Sequence, residues 1–288
     1  MRFTLALALA LAAAPGQAAS PEKLRVVTTS SDLKSLVEAV GGDAVEVESL
    51  TSPEQDPHAI EVKPAQLARL RRAALVVKVG LDHEPWLARL STKAPVLDAS
   101  RGVRLLQTET PRLRVERSSH VHALGNTHYW LDPQNAHPIT AAIVEALAKL
   151  APVDRALFES NRAAFLKRLD ASAQRWTGML APYKGAKVVV MHDSWVYFAD
   201  RFGLAIVAAA EPTPGVPPSP GELAALFARM RETGVKLLIA ETSSNPSLVR
   251  QISEHGGALA VTLMPSGPDY IGLFEANVQR LVAALKSK

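Results

Sequence analysis

Residues Asp154–Leu180 have the sequence DRALFESNRAAFLKRLDASAQRWTGML, and this stretch decides the fold of the 288-residue chain. It lacks proline, and its one glycine lies near its end. Apolar side chains recur along it at steps of seven, four, seven and four residues: Phe158, Phe165, Leu169, Trp176 and Leu180. This spacing predicts one apolar stripe on an α-helix, which would run roughly 40 Å at about 1.5 Å per residue. A helix of that length is able to cross two lobes; the alternative is a surface helix of a single domain.

Short apolar runs typical of buried strands alternate with helical patterns on both sides of this helix. Before it we predict strands at Leu24–Thr28, Val45–Leu50 and Leu75–Val79 and a helix at Asp32–Val40. After it we predict strands at Lys187–Met191, Leu204–Ala209, Lys236–Ala240 and Ala258–Leu263, and helices around Ser194–Phe202, Gly221–Thr233 and Pro246–His255. The alternation favours parallel sheets with helical cover.

We therefore predict an α/β fold of two lobes, each a mostly parallel sheet with helical cover, joined by one long rigid helix. The predicted boundaries are a signal peptide at 1–18, an N-terminal lobe at 19–153, a linking helix at 154–183 and a C-terminal lobe at 184–288. The proline-dense stretch 211–220 is expected to be an extended connection, because proline interrupts both helices and strands.

The N-terminus predicts export. After Arg2 comes a short apolar run at Phe3–Leu11, and small residues follow up to Ala18. This order is typical of a secretory signal peptide; a buried N-terminal helix is the alternative. We find no other stretch with the roughly 18–20 apolar residues of a membrane span, and the chain has no cysteine to carry a lipid. We therefore expect a soluble periplasmic protein without a lipid anchor.

Composition excludes several classes of protein. The absence of cysteine removes disulfide scaffolds, cysteine-based zinc fingers and thiol nucleophiles. The 32 basic and 28 acidic residues give a formal net charge of +4, and the basic residues are scattered along the chain. Such a balance indicates a solvated surface and no nucleic-acid partner.

Three of the eight histidines lie where a ligand site is expected. His58 and His128 lie in turn-rich loops, and His192 directly follows an apolar strand. Ligands of parallel α/β sheets bind beyond the carboxyl ends of the strands, and imidazole nitrogens suit tetrahedral Zn²⁺. Because the spacings match no compact metal motif, the residues alone leave ordinary loop histidines as the alternative.

Several stretches, in this order along the chain, carry a resemblance to a known family. They are Thr28–Leu33 (TTSSDL), Gln55–His58 (QDPH) with Lys63-Pro64, Gly80–Leu87 (GLDHEPWL), Asn126–Pro133 (NTHYWLDP) and Met191–Trp195 (MHDSW) with Tyr197-Phe198. From Val26 onward the chain resembles the cluster A-I periplasmic metal-binding proteins, the zinc and manganese receptors of ABC importers. The resemblance implies two α/β lobes joined by one long helix.

The resemblance also implies a metal held in the cleft between the lobes by His58, His128 and His192. Manganese-binding members tend to carry a carboxylate at the third of these positions, and zinc-binding members carry histidine. His192 therefore favours Zn²⁺ over Mn²⁺, since neutral nitrogens suit the softer ion.

The fourth ligand is left open by the sequence. Many relatives place an aspartate after the last strand, where this chain has Met264, a poor zinc ligand for which we expect an apolar packing role. Glu241 follows a predicted strand and is the preferred candidate, with a hydrogen-bonding role at the cleft edge as the alternative. Glu211, Asp269 or a water molecule are the other options.

The remaining histidines and two aspartates have secondary roles in this interpretation. His120 and His122 precede the second ligand and could take part in transient metal capture. We expect His83, His137 and His255 to be structural or solvated. Asp132 and Asp193 either orient imidazoles from outside the ligand shell or cap helices.

The sequence thus predicts a monomeric receptor that captures Zn²⁺ and delivers it to an inner-membrane ABC permease with its cytoplasmic ATPase. A periplasmic zinc metallochaperone or store is the alternative. A zinc-dependent hydrolase is less favoured, because the chain lacks a His-Glu-x-x-His helix, a Gly-x-Ser-x-Gly elbow and a glycine-rich phosphate loop.

Overall fold

Two four-stranded parallel sheets organise the computed structural model, which describes residues 22–53, 55, 60, 63–106, 125–211 and 216–287. The strands of the first sheet are β1 (Leu24–Thr28), β2 (Val45–Ser49), β3 (Leu75–Lys78) and β4 (Val96–Asp98). Those of the second are β5 (Lys187–Val190), β6 (Ala205–Ala209), β7 (Leu237–Glu241) and β8 (Leu259–Leu263). The signal peptide, His58, His120 and His122 lie outside the described residues.

Helices cover both sheets. They are α1 (Ser31–Gly41), α2 (Pro64–Arg72), α3 (Ala136–Leu150), α4 (Arg155–Leu180), α5 (Val196–Phe202), α6 (Pro220–Thr233), α7 (Pro246–Gly256) and α8 (Tyr270–Lys286). The predicted two-lobed α/β architecture is confirmed. In the part of the chain that the structure describes, no helix combines the length and apolar character needed to cross a membrane.

The long helix α4 packs against both lobes. All five residues of its predicted apolar stripe are buried. It contacts α1 and α3 of the first lobe and α8 of the second. Near its start Asn161 donates to the Val40 carbonyl of α1, and near its end the Trp176 indole donates to Glu275 of α8 at 2.8 Å. The helix therefore connects the two lobes, as its sequence predicts.

Strand order places one crevice in each lobe. The orders are β2-β1-β3-β4 and β6-β5-β7-β8, and every neighbouring pair is parallel. In the first sheet β2 lies on one side of β1, and the chain then crosses to the other side of β1 to form β3; β5, β6 and β7 follow the same course in the second sheet. The direction in which strands are added therefore reverses between β1 and β3 and between β5 and β7. Side chains that bind ligands gather outside the carboxyl ends of strands at such points.

Candidate metal centre

His128 projects from the first lobe and is held in one tautomer. The residue is 4% exposed and precedes a turn of 3₁₀-helix at Tyr129–Leu131. The Asn126 side-chain oxygen accepts the His128 backbone N–H at 2.9 Å and lies 3.1 Å from the imidazole Nδ1. Because that amide atom is an acceptor, Nδ1 carries the proton and Nε2 presents its lone pair, the form in which imidazole binds a metal.

His192 faces His128 from the second lobe. It lies two residues beyond the end of β5, at the point where the winding changes direction. The two ring centroids are 5.2 Å apart and the ring planes are close to perpendicular, at 77°. The structure therefore brings together two of the three histidines that the sequence singles out, while His58 lies outside the described residues.

Asp193 contributes a carboxylate to the same place. One ligand atom from each of His128, His192 and Asp193 lies within 4.8 Å of the others. The Nε2 atom of His192 is 3.4 Å from Oδ1 of Asp193. Among the described residues, this is the one group of three or more histidine, aspartate or glutamate side chains close enough to share a metal ion.

Glu241 lies at the end of β7, behind His192. Its carboxylate accepts a hydrogen bond from the Ser194 hydroxyl at 2.7 Å, and the residue is 9% exposed. Burial raises the pKa of Glu241, while the nearby His192 and hydrogen bonds from Ser194 and Trp195 oppose the shift. Glu241 thus lies next to the candidate metal centre and contacts Ser194, which directly follows His192 and Asp193 in the chain.

The other candidates for the fourth position lie in different surroundings. Asp269 precedes α8 and lines a groove of about 620 Å³ between α1, α4 and α8. The Glu211 backbone N–H donates to the carbonyl of Met191 at 2.9 Å, next to the end of β5. Met264 is held through its backbone by two hydrogen bonds with the side chain of Asn277.

His83 lies beside the centre and is a residue whose position the sequence analysis missed. It is fully buried, so it is not solvated, and its ring contacts the rings of His128 and Trp130 at centroid distances of 5.4 and 5.2 Å. Its Nδ1 atom is 2.9 Å from the Thr127 hydroxyl. The sequence signal that could have identified it is its position shortly after strand β3. A turn with positive φ angles at residues 80–82 lies between the strand and His83.

The two other histidines expected outside the site have local partners. His137 is 2.9 Å from Asp170 on α4, and the His255 ring contacts the Gln251 carbonyl on α7. Asp132 caps a helical turn by accepting the Gln134 N–H, and it also accepts hydrogen bonds from Arg201.

Two parallel α/β lobes whose histidines face each other are the architecture of a two-lobed binding protein. In this chain the candidate metal centre lies between the lobes, where His128 faces His192. Residues 26–284 match the family model described as ZnuA, the periplasmic component A of a zinc-uptake complex. The chain belongs to this family. The resemblance seen in the sequence motifs is thereby confirmed.

Individual relatives agree with this assignment. The chain is 28% identical over 284 residues to the high-affinity zinc uptake system protein ZnuA of Paracoccus denitrificans, covering 88% of this chain and 85% of that protein. It is 26% identical to the zinc-binding lipoprotein AdcA of Streptococcus pneumoniae, covering 95% of this chain and 58% of that longer protein. A crystal structure of ZnuA superposes with a TM-score of 0.81 at 29% identity, covering 91% of this chain and 99% of that one.

Proposed function

We propose that this protein captures one Zn²⁺ ion between its lobes and delivers it to an ABC importer. The observation that carries the proposal is the meeting of His128 and His192, one from each lobe, with ring centroids 5.2 Å apart. Imidazoles held on separate lobes allow the lobes to close on an ion and to release it when they separate. Such a site suits a receptor that binds and releases its cargo without changing it chemically, so we assign no catalytic residue.

The proposed ligands are His58, His128 and His192, with a carboxylate in the fourth position, where the sequence favours Glu241. Zn²⁺ takes four ligands in a tetrahedral shell at about 2.0–2.1 Å from imidazole nitrogen. Three neutral nitrogens favour Zn²⁺ over Mn²⁺, which prefers oxygen ligands. Because Asn126 fixes the protonated nitrogen of His128, the ring needs no tautomer change to bind the metal.

The proposed partners are an inner-membrane permease and its cytoplasmic ATPase, with the protein acting as a monomer in the periplasm after removal of residues 1–18. The support is the family, whose model is described as the periplasmic component of a zinc-uptake complex. A lipid anchor is not proposed, because the chain has no cysteine to accept one.

The test is a titration of metal-free protein with Zn²⁺ and Mn²⁺, comparing wild type with His192→Ala. We expect one Zn²⁺ per chain, tighter binding of Zn²⁺ than of Mn²⁺, and a loss of at least about 100-fold in zinc affinity in the variant, because removing a ligand costs more than the roughly 10–100-fold cost of an outer-shell change. His255→Ala is the matched control, since His255 lies exposed on α7. Preference for Mn²⁺, or an unchanged His192→Ala, would contradict the proposal.

A further inference from the structure

Asp193 is placed in the candidate metal centre by the structure, although the sequence suggested either an outer-shell role or a helix cap for it. We propose that the Asp193 carboxylate is the fourth ligand of the bound zinc ion, in place of Glu241. This rests on the proposed function, since it concerns the shell of the same ion.

The distance between His192 and Asp193 is the first argument. Their Nε2 and Oδ1 atoms are 3.4 Å apart, beyond the usual 2.7–3.2 Å of an N–H···O hydrogen bond. In a tetrahedral zinc shell with bonds of about 2.0–2.2 Å, neighbouring ligand atoms are about 3.3–3.6 Å apart. The pair is therefore close enough to share one ion, and a ligand atom of the third member, His128, lies within 4.8 Å of one from each of them.

The backbone that carries Asp193 is fixed from the opposite lobe. The side-chain amide of Asn126 donates to the Asp193 carbonyl at 2.9 Å, while its oxygen holds the ring of His128. One amide therefore sets the position of Asp193 relative to His128. The Asp193 side chain is 21% exposed, so it lies at the edge of the cleft, where an entering ion can reach it.

Glu241 is less suited to the fourth position. Its carboxylate is engaged by the Ser194 hydroxyl at 2.7 Å, and among the described residues it does not join the group of atoms within 4.8 Å of one another. Its place behind His192 suits a positioning residue that holds the start of the segment at Asp193–Trp195.

The decisive experiment is a crystal structure of the zinc-loaded protein with anomalous scattering at the zinc edge. We expect an Asp193 carboxylate oxygen about 2.0–2.2 Å from the ion. Zinc titrations of Asp193→Asn and Glu241→Gln provide a matched pair, since each change removes one charge and keeps the shape. Asp193→Asn should lower zinc affinity by at least about 100-fold, more than the roughly 10–100-fold cost of an outer-shell change, with the Asn126 contact to the backbone retained, and Glu241→Gln should lower it by less than about tenfold.

The outcomes separate this inference from the proposed function. Zinc bound by the histidines with Asp193 beyond bonding distance, or with Glu241 or water in the fourth position, would overturn the inference and leave the receptor in place. Equal affinities of Asp193→Asn and wild type would overturn it as well. A wild-type protein that binds no zinc would remove both proposals.

Discussion

Asn126 contacts both sides of the metal centre through its side chain. Its side-chain oxygen holds His128, and its side-chain nitrogen holds the carbonyl of Asp193. Its own carbonyl accepts the Tyr197 hydroxyl of α5 at 2.8 Å. One residue of the first lobe therefore sets the orientation of a proposed ligand on its own lobe and the position of the ligand segment on the other.

We predict that Asn126→Ala lowers zinc affinity by about 10–100-fold, the usual effect of removing a group that orients a metal ligand. Competition with a chromophoric zinc chelator measures the change. Asn245→Ala is the control: Asn245 caps α7 through the backbone N–H groups of Ser247 and Leu248, so its loss should lower the melting temperature and leave zinc affinity unchanged. Wild-type affinity in Asn126→Ala would contradict the proposed role.

At the scale of elements, each sheet has a buried glutamate next to the carboxyl ends of its central strands. In the second lobe it is Glu241, at the end of β7. In the first lobe it is Glu84, whose carboxylate accepts the N–H groups of Val79 and Gly80 after β3 and the hydroxyl of Thr29 after β1. Burial raises the pKa of Glu84, and these hydrogen bonds oppose the shift. Glu84 thus links the segments that follow β1 and β3.

We predict that Glu84→Gln lowers the free energy of unfolding by about 1–3 kcal/mol, because the amide nitrogen cannot accept a hydrogen bond and leaves a buried N–H unsatisfied. Urea unfolding of metal-free protein measures the loss. Glu254→Gln, an exposed change on α7, should stay within about 0.5 kcal/mol of wild type. Equal stability of Glu84→Gln and wild type would show that the carboxylate does not bear these contacts.

The elements that sequence predicted best are those with a strong period. The seven strands and four helices predicted on either side of α4 agree with the structure to within two residues at their ends, as β5 and α7 illustrate. The strand β4 has three residues, too few for any period. The helix α8 was not predicted, although buried residues at Tyr270, Phe274 and Val278 follow a helical spacing.

The candidate site was predictable only in part, for a physical reason. A position after a parallel strand identifies His192, because strand ends meet at one edge of a sheet. The place of His83 depends on positive φ angles of 56° and 57° at Leu81 and Asp82, which non-glycine residues rarely adopt. The approach of Asp193 to His128 depends on how two lobes pack, and no local pattern encodes that.

At the scale of the whole molecule, hydrogen bonds join the lobes around the metal centre. Arg201 of α5 forms two 2.7 Å bonds with Asp132 of the first lobe. The Trp130 indole donates to the Pro265 carbonyl at 2.8 Å, across the same boundary. Opening of the cleft for metal release must either break these bonds or move the loops that carry them, since α4 and α8 also pack across the boundary.

The buried carboxylate of Asp32 is one of these connections, and it makes stability depend on pH. Asp32 lies in the first turn of α1 and accepts bonds from the Ser266 hydroxyl at 2.6 Å and the Gly267 N–H at 3.2 Å, both from the loop before α8. Burial raises its pKa from 3.8 to about 7. The folded chain therefore keeps a proton that the unfolded chain loses above about pH 4, and the free energy of unfolding falls as pH rises from about 4 to about 7.

We predict that Asp32→Asn removes this decrease, because the amide cannot ionise and still accepts from Gly267 and donates to the Ser266 hydroxyl. The stability of the variant relative to wild type should rise by as much as about 4 kcal/mol between pH 4 and pH 8, three pKa units at about 1.4 kcal/mol each. Urea unfolding of metal-free protein across this range measures it, and the exposed change Asp43→Asn should follow wild type. Parallel profiles for Asp32→Asn and wild type would mean that Asp32 holds the lobes together as an ordinary ionised carboxylate.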